Sequence, residues 1–437
     1  MPPAAPARFG ALQHRNFRLF IIGQAISLSG TWIQNVAQGW LVLQLSNSAF
    51  LVGLVSTLGS LPVLLFTLYG GVVADRVNRH RFITILQALM LLDALALAFL
   101  TQFGVITVAW VGALAVVLGV LMAFEVPARQ AFVIELVGRD DLMNAIALNS
   151  SIFNVSRMVG PAIAGVLIGA AGIAVCFFVN SASYVAVVIG LLLIRLPKAD
   201  ERRAARAPRA FWEGFSHVLS DPWSRALVVL TATFSIFGFA FMPMLPVFAR
   251  EVLKVQAAGY GGLVSAVGVG ATAAALFLAA FGHRVPRRRT VLGGGLLLGA
   301  GLVASAFTRS YLVAMAIFTV VGAAMVLNNV LTNTLLQTYA PDHLRGRIMG
   351  VYSFLILGMM PFGSLQAGFV AEHLGVQVAI GAGGGICLLV LAWVTWRLAL
   401  TRRRTARSIA EAAVAVPTPG PPAPAPPDTG PGPTSLD

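Results

Sequence analysis

Asp75-Arg76-Val77-Asn78-Arg79-His80-Arg81 lies between two long apolar stretches, and His283-Arg284-Val285-Pro286-Arg287-Arg288-Arg289 lies between two more, 208 residues later. A second pair of polar runs, Arg139-Asp140-Asp141-Leu142 and Pro341-Asp342-His343-Leu344, recurs 202 residues apart. Polar punctuation that repeats at nearly one offset across an apolar chain marks an internal duplication. Each half then consists of apolar segments joined by short polar loops.

The surrounding sequence says what those segments are. Of 437 residues, 58% are hydrophobic and 11% charged, against roughly 45–50% and about 25% in ordinary soluble domains. This composition excludes a soluble enzyme, a nucleic-acid-binding domain and a disordered chain, and leaves an all-α integral membrane protein in contact with the lipid bilayer. The net charge of +14 comes from Arg clusters between apolar runs, not from a basic stripe on a folded surface, so no nucleic-acid partner is expected. Cys176 and Cys387 sit inside apolar runs without the paired spacing of metal or redox sites.

A crossing helix needs about 20 largely apolar residues. Twelve such runs fall near 18–44, 49–73, 82–101, 105–127, 144–169, 173–195, 225–249, 257–281, 290–308, 311–336, 347–371 and 376–398. The first is too long for a cleaved signal peptide. With the N-terminus inside, the outer loops hold only Arg250, Lys254 and Arg309 of the 30 Lys and Arg residues. The positive-inside rule therefore places both termini in the cytoplasm of a bacterial-type inner membrane. The expected organisation is a cytoplasmic segment 1–17, a six-helix half 18–195, a central loop 196–224, a second six-helix half 225–398 and a tail 399–437. The loop begins with Arg202, Arg203, Arg206 and Arg209. It continues with Phe211, Phe215, Val218 and Leu219 at helical spacing, the pattern of an amphipathic surface helix. The tail opens with Arg402, Arg403 and Arg404 closing the last span, and its proline-rich remainder, 417–437, is expected to be disordered.

At Gly71-x-x-x-Asp75-Arg76-x-x-Arg79 the sequence resembles the signature loop of the major facilitator superfamily. Asn78 stands where that family usually has Gly, and His80 where it usually has Lys or Arg; Asn tolerates the left-handed conformation such a turn would need. Gly160-Pro161-Ala162-Ile163-Ala164-Gly165 is similar to the Gly-Pro motif of exporters in the superfamily. Pro127-Ala128-Arg129, Leu245-Pro246, Leu344-Arg345-Gly346-Arg347 and Pro361-Phe362-Gly363-Ser364 look like the enterobactin-exporter-like branch of siderophore, macrolide and multidrug efflux permeases. The resemblance runs from about Arg15 to Arg397. It implies twelve transmembrane helices in two pseudo-symmetric six-helix halves around a central cavity. It further implies that the Asp75 loop faces the start of the eleventh helix, near Arg345 and Arg347, and that Arg79 pairs with Glu125. Together with Gly71 and Arg76 these residues would form a latch on the inner side, with Glu135 nearby; the alternative is an ordinary solvated ion pair. His283 in place of Asp75 in the second half implies a latch on one side only.

The first span carries Gln24, Ser27, Thr31, Gln34 (with Asn35) and Gln38 on one face. Polar groups avoid lipid, so this stripe faces either a water-filled cavity or neighbouring helices through hydrogen bonds. Ser150, Asn154 and Arg157 form a second stripe, and Asn329, Thr332 or Asn333, and Gln337 a third. Phe234, Phe237, Phe241 and Met244 offer an aromatic wall for bulky amphiphilic molecules, or simply pack in the core. Two charged residues lie deep in the hydrocarbon: Asp93 and Arg157, each about 18–20 Å from the inner end at 1.5 Å per residue. Asp93 is the candidate for proton coupling or a structural partner. Arg157, always charged, is an anion or dipole anchor, or the neutraliser of Asp93.

These readings lead to a monomeric secondary transporter that exports an amphiphilic small molecule by alternating access, with protons as the coupling partner. An importer or uniporter of a small organic solute is the alternative in the same fold. A membrane-embedded enzyme or receptor finds no support, since His14, His80, His217, His283, His343 and His373 all lie at loops or helix ends. Neither a cofactor nor a metal is expected.

Overall fold

The computed structural model describes residues 10–138, 140–195, 216, 220–341 and 344–414. The expected amphipathic helix at 211–219 and the proline-rich tail lie outside these residues, apart from Ser216. Every regular element among the described residues is a helix. A short turn, Gly10–Gln13, precedes α1 (Arg15–Ser46), α2 (Ala49–Arg76), α3 (Arg79–Gln102), α4 (Val108–Val137), α5 (Leu142–Ala171) and α6 (Ile173–Leu192). The second half comprises α7 (Pro222–Val252), α8 (Ala257–Phe281), α9 (Arg287–Phe307), α10 (Tyr311–Tyr339), α11 (Arg345–Leu374) and α12 (Val376–Val414). Eleven of these are apolar and long enough to cross a membrane. The other is α1, which has the length, at 32 residues, and carries the polar stripe. All twelve expected spans are present.

Local chemistry sets the helix ends. Ser48, Asn78, Thr107 and Asp221 each accept a backbone N–H from three residues on, the N-cap arrangement that satisfies an otherwise orphaned donor. Asn78 does this with an extended backbone, φ −66°. The left-handed turn expected there is therefore not used, because capping α3 meets the need that a glycine would meet by conformation. Gly172 and Gly375, at φ +87° and +91°, make the tight turns into α6 and α12, and they lie at equivalent places in the two halves.

In the first half α2 packs on α4, α1 on α5 and α6, and α3 on α4 and α6; in the second, α8 packs on α10 and α10 on α9. The halves meet chiefly along α5 with α8 and α2 with α11, pairs that the internal pseudo-symmetry exchanges. Both crossings are backbone against backbone. A Cβ on Gly165 would lie 2.9 Å from Ala258 Cα, and one on Gly53 would lie 2.9 Å from Gly368 Cα. Gly160 lies under Trp32 and Ser29 of α1, as Gly363 lies under Ser235 and Ile236 of α7. The Gly160-Pro161 motif and its counterpart Gly363-Ser364 thus sit where each helix presses on both neighbours.

These contacts belong to one end of the helices, here the far end, opposite the N-terminus. They run from Ser48–Glu372 to Leu64–Gly358 on one side and from Gly165–Ala258 to Asn154–Thr272 on the other. Arg250 adds bonds to Leu43 O at 3.1 Å and Asn47 Oδ1 at 2.6 Å, and Trp40 stacks on Tyr260. Toward the opposite, basic end, Leu68, Met143 and Leu276 continue the same contact stripes yet are 77, 77 and 66% exposed. The halves are closed on each other at the far end and parted at the basic end. From Trp393 onward the chain forms a separate compact unit, helical to Val414, in which the Arg397 guanidinium lies 5.5 Å from the Trp393 ring centre.

Gly165→Leu forces the α5 and α8 backbones apart and should lower stability by about 1–3 kcal/mol. Gly169→Leu, where a side chain would meet nothing within 4 Å, should leave it unchanged. Thermal unfolding of the two purified variants in detergent checks the contrast.

Candidate functional site

Arg157 lies midway along α5, between the halves. Its Nη2 is 3.9 Å from Met325 Sδ of α10, and its guanidinium carbon is 5.9 Å from the Trp32 ring centre of α1. Its Nε has no hydrogen-bond partner among the described residues. Asn154, one turn away, donates to Ser150 O at 2.9 Å. Phe153 meets Trp32 edge-on at 6.1 Å. The guanidinium therefore has an aromatic face and a thioether beside it, with no acid paired to it among the described residues.

Met325 and Asn329 share one face of α10, a turn apart. Asn329 lines a small cleft in the second half with Thr231, Phe234, Phe239, Thr332 and Tyr352. The Tyr352 hydroxyl donates to Asn329, 2.7 Å from its backbone oxygen and in contact with its side-chain oxygen. Asn328 is buried and donates to Val291 O at 3.1 Å. Asn333 accepts from Gln337 Nε2 at 2.6 Å.

The aromatic wall differs from expectation. Phe234–Gly238 is a π turn, closed by Phe239 N–H donating to Phe234 O at 2.7 Å. A π turn inserts an extra residue and rotates everything after it. Phe239 consequently lines the cleft, while Phe241 turns inward and stacks on Phe318 at 5.5 Å. Phe241 is a packing residue, and Phe237 is half-buried without lining the cleft. The spacing assumed a regular helix, so it could not find Phe239.

The α1 stripe divides. Gln34 is buried and its Oε1 accepts from Asn180 Nδ2 of α6 at 2.6 Å, so it joins helices and does not line a cavity. Thr31 donates to Ser27 O at 2.9 Å and lies near Tyr184. Gln38 is half-buried and Asn35 exposed. Gln24 is buried, and its Nε2 has no partner among the described residues.

Asp93 is buried in the first half, near Tyr184, which packs with Met90, Ala94 and Leu121 in an apolar cluster. Its Oδ1 has no partner among the described residues. It makes no ion pair with Arg157: Asp93 belongs to the α3–α4–α6 interior, Arg157 to the space between halves. Mutual neutralisation is therefore not what holds either charge.

At the basic end, Arg79 binds Asp75 Oδ1 at 2.8 Å, Ala74 O at 3.1 Å, and Glu135. The expected Arg79–Glu125 pair is not formed. Glu125 lies ten residues, or roughly 15 Å, deeper in α4, where it takes Arg129 Nε at 2.8 Å and Gln87 Nε2 at 3.2 Å. His80 reaches Leu191 O at 2.7 Å and stacks on Phe132. Asp75 and the start of α11 are not brought together in this state, while Gly71, Gly346 and Gly350 each leave open space where a side chain would be. Arg76 is exposed.

A chain of two duplicated six-helix halves that are Gly-packed at one end and parted at the other has the architecture of a major facilitator transporter. The sequence profile of the transmembrane secretion effector family matches residues 6–431. The chain belongs to this family of the major facilitator superfamily; it is a multi-pass membrane transporter and not an enzyme. Multidrug efflux pump Tap of Mycolicibacterium fortuitum is 28% identical over 362 residues, 80% of this chain and 87% of that protein. Enterobactin exporter EntS of Escherichia coli O1:K1 / APEC is 25% identical over 383 residues, 86% and 90% of the two chains. Staphyloferrin A transporter of Staphylococcus aureus (strain NCTC 8325 / PS 47) is 23% identical, covering 82% and 90%. Among solved structures, nucleoside transporter NupG superposes with a TM-score of 0.71 at 12% identity, over 87% of this chain and 98% of that one. A bacterial homologue of the lysosomal transporter Spinster gives 0.69 at 15%, over 90% and 97%.

Because Asp93 and Arg157 do not pair, their substitutions should act independently. Unfolding free energies of Asp93→Asn, Arg157→Met and the double variant should add within about 0.5 kcal/mol. Mutual rescue in the double variant would contradict the separation.

Proposed function

We propose that this protein exports an amphiphilic small molecule by alternating access, driven by the proton gradient. The observation that carries the reading is the placement of Arg157 between halves that are joined at one end only. A mid-membrane cation with no paired acid among the described residues needs a counter-charge or dipole. A substrate with an electronegative group supplies it, with an uncharged part of that molecule against Phe234, Phe239 and Tyr352. Gln24, Ser27, Thr31, Gln38, Asn154, Asn329 and Asn333 add uncharged hydrogen-bonding groups around the path. The names of the three relatives support export of drug-like or siderophore-like molecules.

The basic end is taken as cytoplasmic, with both termini there, by the positive-inside rule. The present state then faces inward. Its counterpart requires α2 and α11 to close toward the cytoplasm, and their register supports the latch. Thr57 donates to Pro361 O and Leu64 touches Gly358; continuing the antiparallel pairing sets Gly71 against Gly350 and Asp75 against Arg345, with Arg347 two residues further along α11. Gly71 and Gly350 let the backbones approach, as Gly53 and Gly368 do at the far end. Asp93, the buried carboxyl that can exchange a proton, is the coupling group. The protein works as a monomer, since both halves of the path are in one chain.

The test is uptake of a fluorescent amphiphile into everted membrane vesicles. Accumulation should follow energisation and collapse when the pH gradient is dissipated; accumulation only in right-side-out vesicles would make the protein an importer. Asp75→Asn should reduce the rate at least fivefold with normal abundance in the membrane, as an immunoblot of the same vesicles would show. Asp93→Asn should retain downhill exchange of the amphiphile and lose its dependence on the pH gradient.

A further inference from the structure

The contact between α5 and α8 has a register of its own. Gly165 lies against Ala258, Pro161 O against Gly261, Met158 against Gly268, and Asn154 O accepts from Thr272 Oγ1 at 3.3 Å. Below this level the helices part. Continued in the same antiparallel sense, the pairing sets Ala147 opposite Ala279. It ends with Arg284, just past the end of α8, beside Asp141, the residue that precedes α5. Both alanines and Arg284 are exposed in the present state.

We propose that Asp141 and Arg284 form a second latch, closing the cytoplasmic end between α5 and α8 as Asp75 and Arg345 close it between α2 and α11. The proposal rests on the alternating-access reading and removes the expectation of a one-sided latch. That expectation followed from comparing like positions, since His283 stands where Asp75 does. The charges are exchanged across the contact instead: in each crossing the first half supplies the acid and the second half the base. Helix dipoles favour this arrangement at the second crossing. Asp141 sits at the positive N-terminal end of α5 and Arg284 at the negative C-terminal end of α8, so both charges are stabilised before they meet.

Asp141 is not idle when the end is open. Its Oδ2 holds His14 Nε2 at 2.8 Å, and Ala11 N–H donates to Asn144 Oδ1 at 3.3 Å, which docks the Gly10–Gln13 turn on the start of α5. Closing therefore exchanges His14 for Arg284, and the carboxylate keeps a partner in both states. Asp140 is exposed beside it, while Arg287, Arg288 and Arg289 follow on α9, with Arg288 engaged by Tyr339 at 2.5 Å and by Trp223. Of these bases Arg284 stands nearest the end of α8, three residues past Phe281 in the turn that follows it.

A cysteine pair at Ala147→Cys and Ala279→Cys reads this closure directly, because Cys176 and Cys387 are fully buried and do not compete for a reagent. In membranes, oxidation should cross-link the pair, and Asp141→Arg or Arg284→Asp should each cut the yield at least fivefold. The double reversal, Asp141→Arg with Arg284→Asp, should return it to within twofold of the parent. The milder Asp141→Asn should cut it about twofold, and this serves if a reversal lowers abundance. A double reversal no better than its single components, or a parent that never cross-links, overturns the proposal. The readout needs no substrate: charge-dependent cross-linking in a protein that moves no amphiphile would uphold the latch and sink the transport reading.

Discussion

Close backbone approach at two helix crossings is the constraint on which the rest depends. Gly165 against Ala258 and Gly53 against Gly368 bring main chains together where an added methyl would already be too near. In a bilayer no hydrophobic gain drives helix against helix, so association relies on such packing and on hydrogen bonds between helices. Small residues at the far end hold the halves together there. Gly71, Gly346 and Gly350, with open space around them, provide the same possibility at the basic end. A two-state hinge needs both contacts to be attainable and only one made at a time.

Polar groups divide according to whether they stabilise a half or face the space between halves. Gln34 with Asn180, Glu125 with Arg129 and Gln87, and Asn328 with the Val291 carbonyl are hydrogen-bonded within one half and specify its packing. Arg157 is different. It borders both halves, with Trp32 on one side and Met325 on the other, so a molecule bound there would touch both. Asp93 sits behind that surface, in the interior of the first half. In the packing order α3–α6–α1–α5, Tyr184 of α6 and Thr31 of α1 lie close to each other between the two charged residues' helices.

Much of this was legible in the sequence because membrane folds are strongly constrained. Twelve apolar runs, the repeated polar loops and the basic side followed from length and spacing alone. The repeat extends to the close contacts, since Gly53 and Gly261, which only the structure shows to matter, share the offset of the two loops. The side chains of the site were less legible. The spacing leaves Phe241 between the cavity wall and the core; the π turn at Phe234–Gly238 decides for the core and brings Phe239 to the cleft. Gln34 was read with its stripe, yet it lies at the edge facing α6. The resemblance implies Arg79 with Glu125, whereas Arg79 here holds Glu135, because Glu125 lies ten residues deeper along α4 and takes Arg129. Each error concerns rotation or depth about a helix axis, which a polar pattern leaves loose by a residue or more.

Alternating access requires one chain to exchange closure at the far end for closure at the basic end. Spin labels at Met143→Cys on α5 and Phe281→Cys on α8, measured by pulsed electron resonance in lipid nanodiscs, report on the basic end directly. Two distance populations are predicted, the longer matching the parted helices described here and the shorter gaining weight when conditions favour the outward-facing state. A single population, unmoved by pH or by a transported amphiphile, would contradict the account.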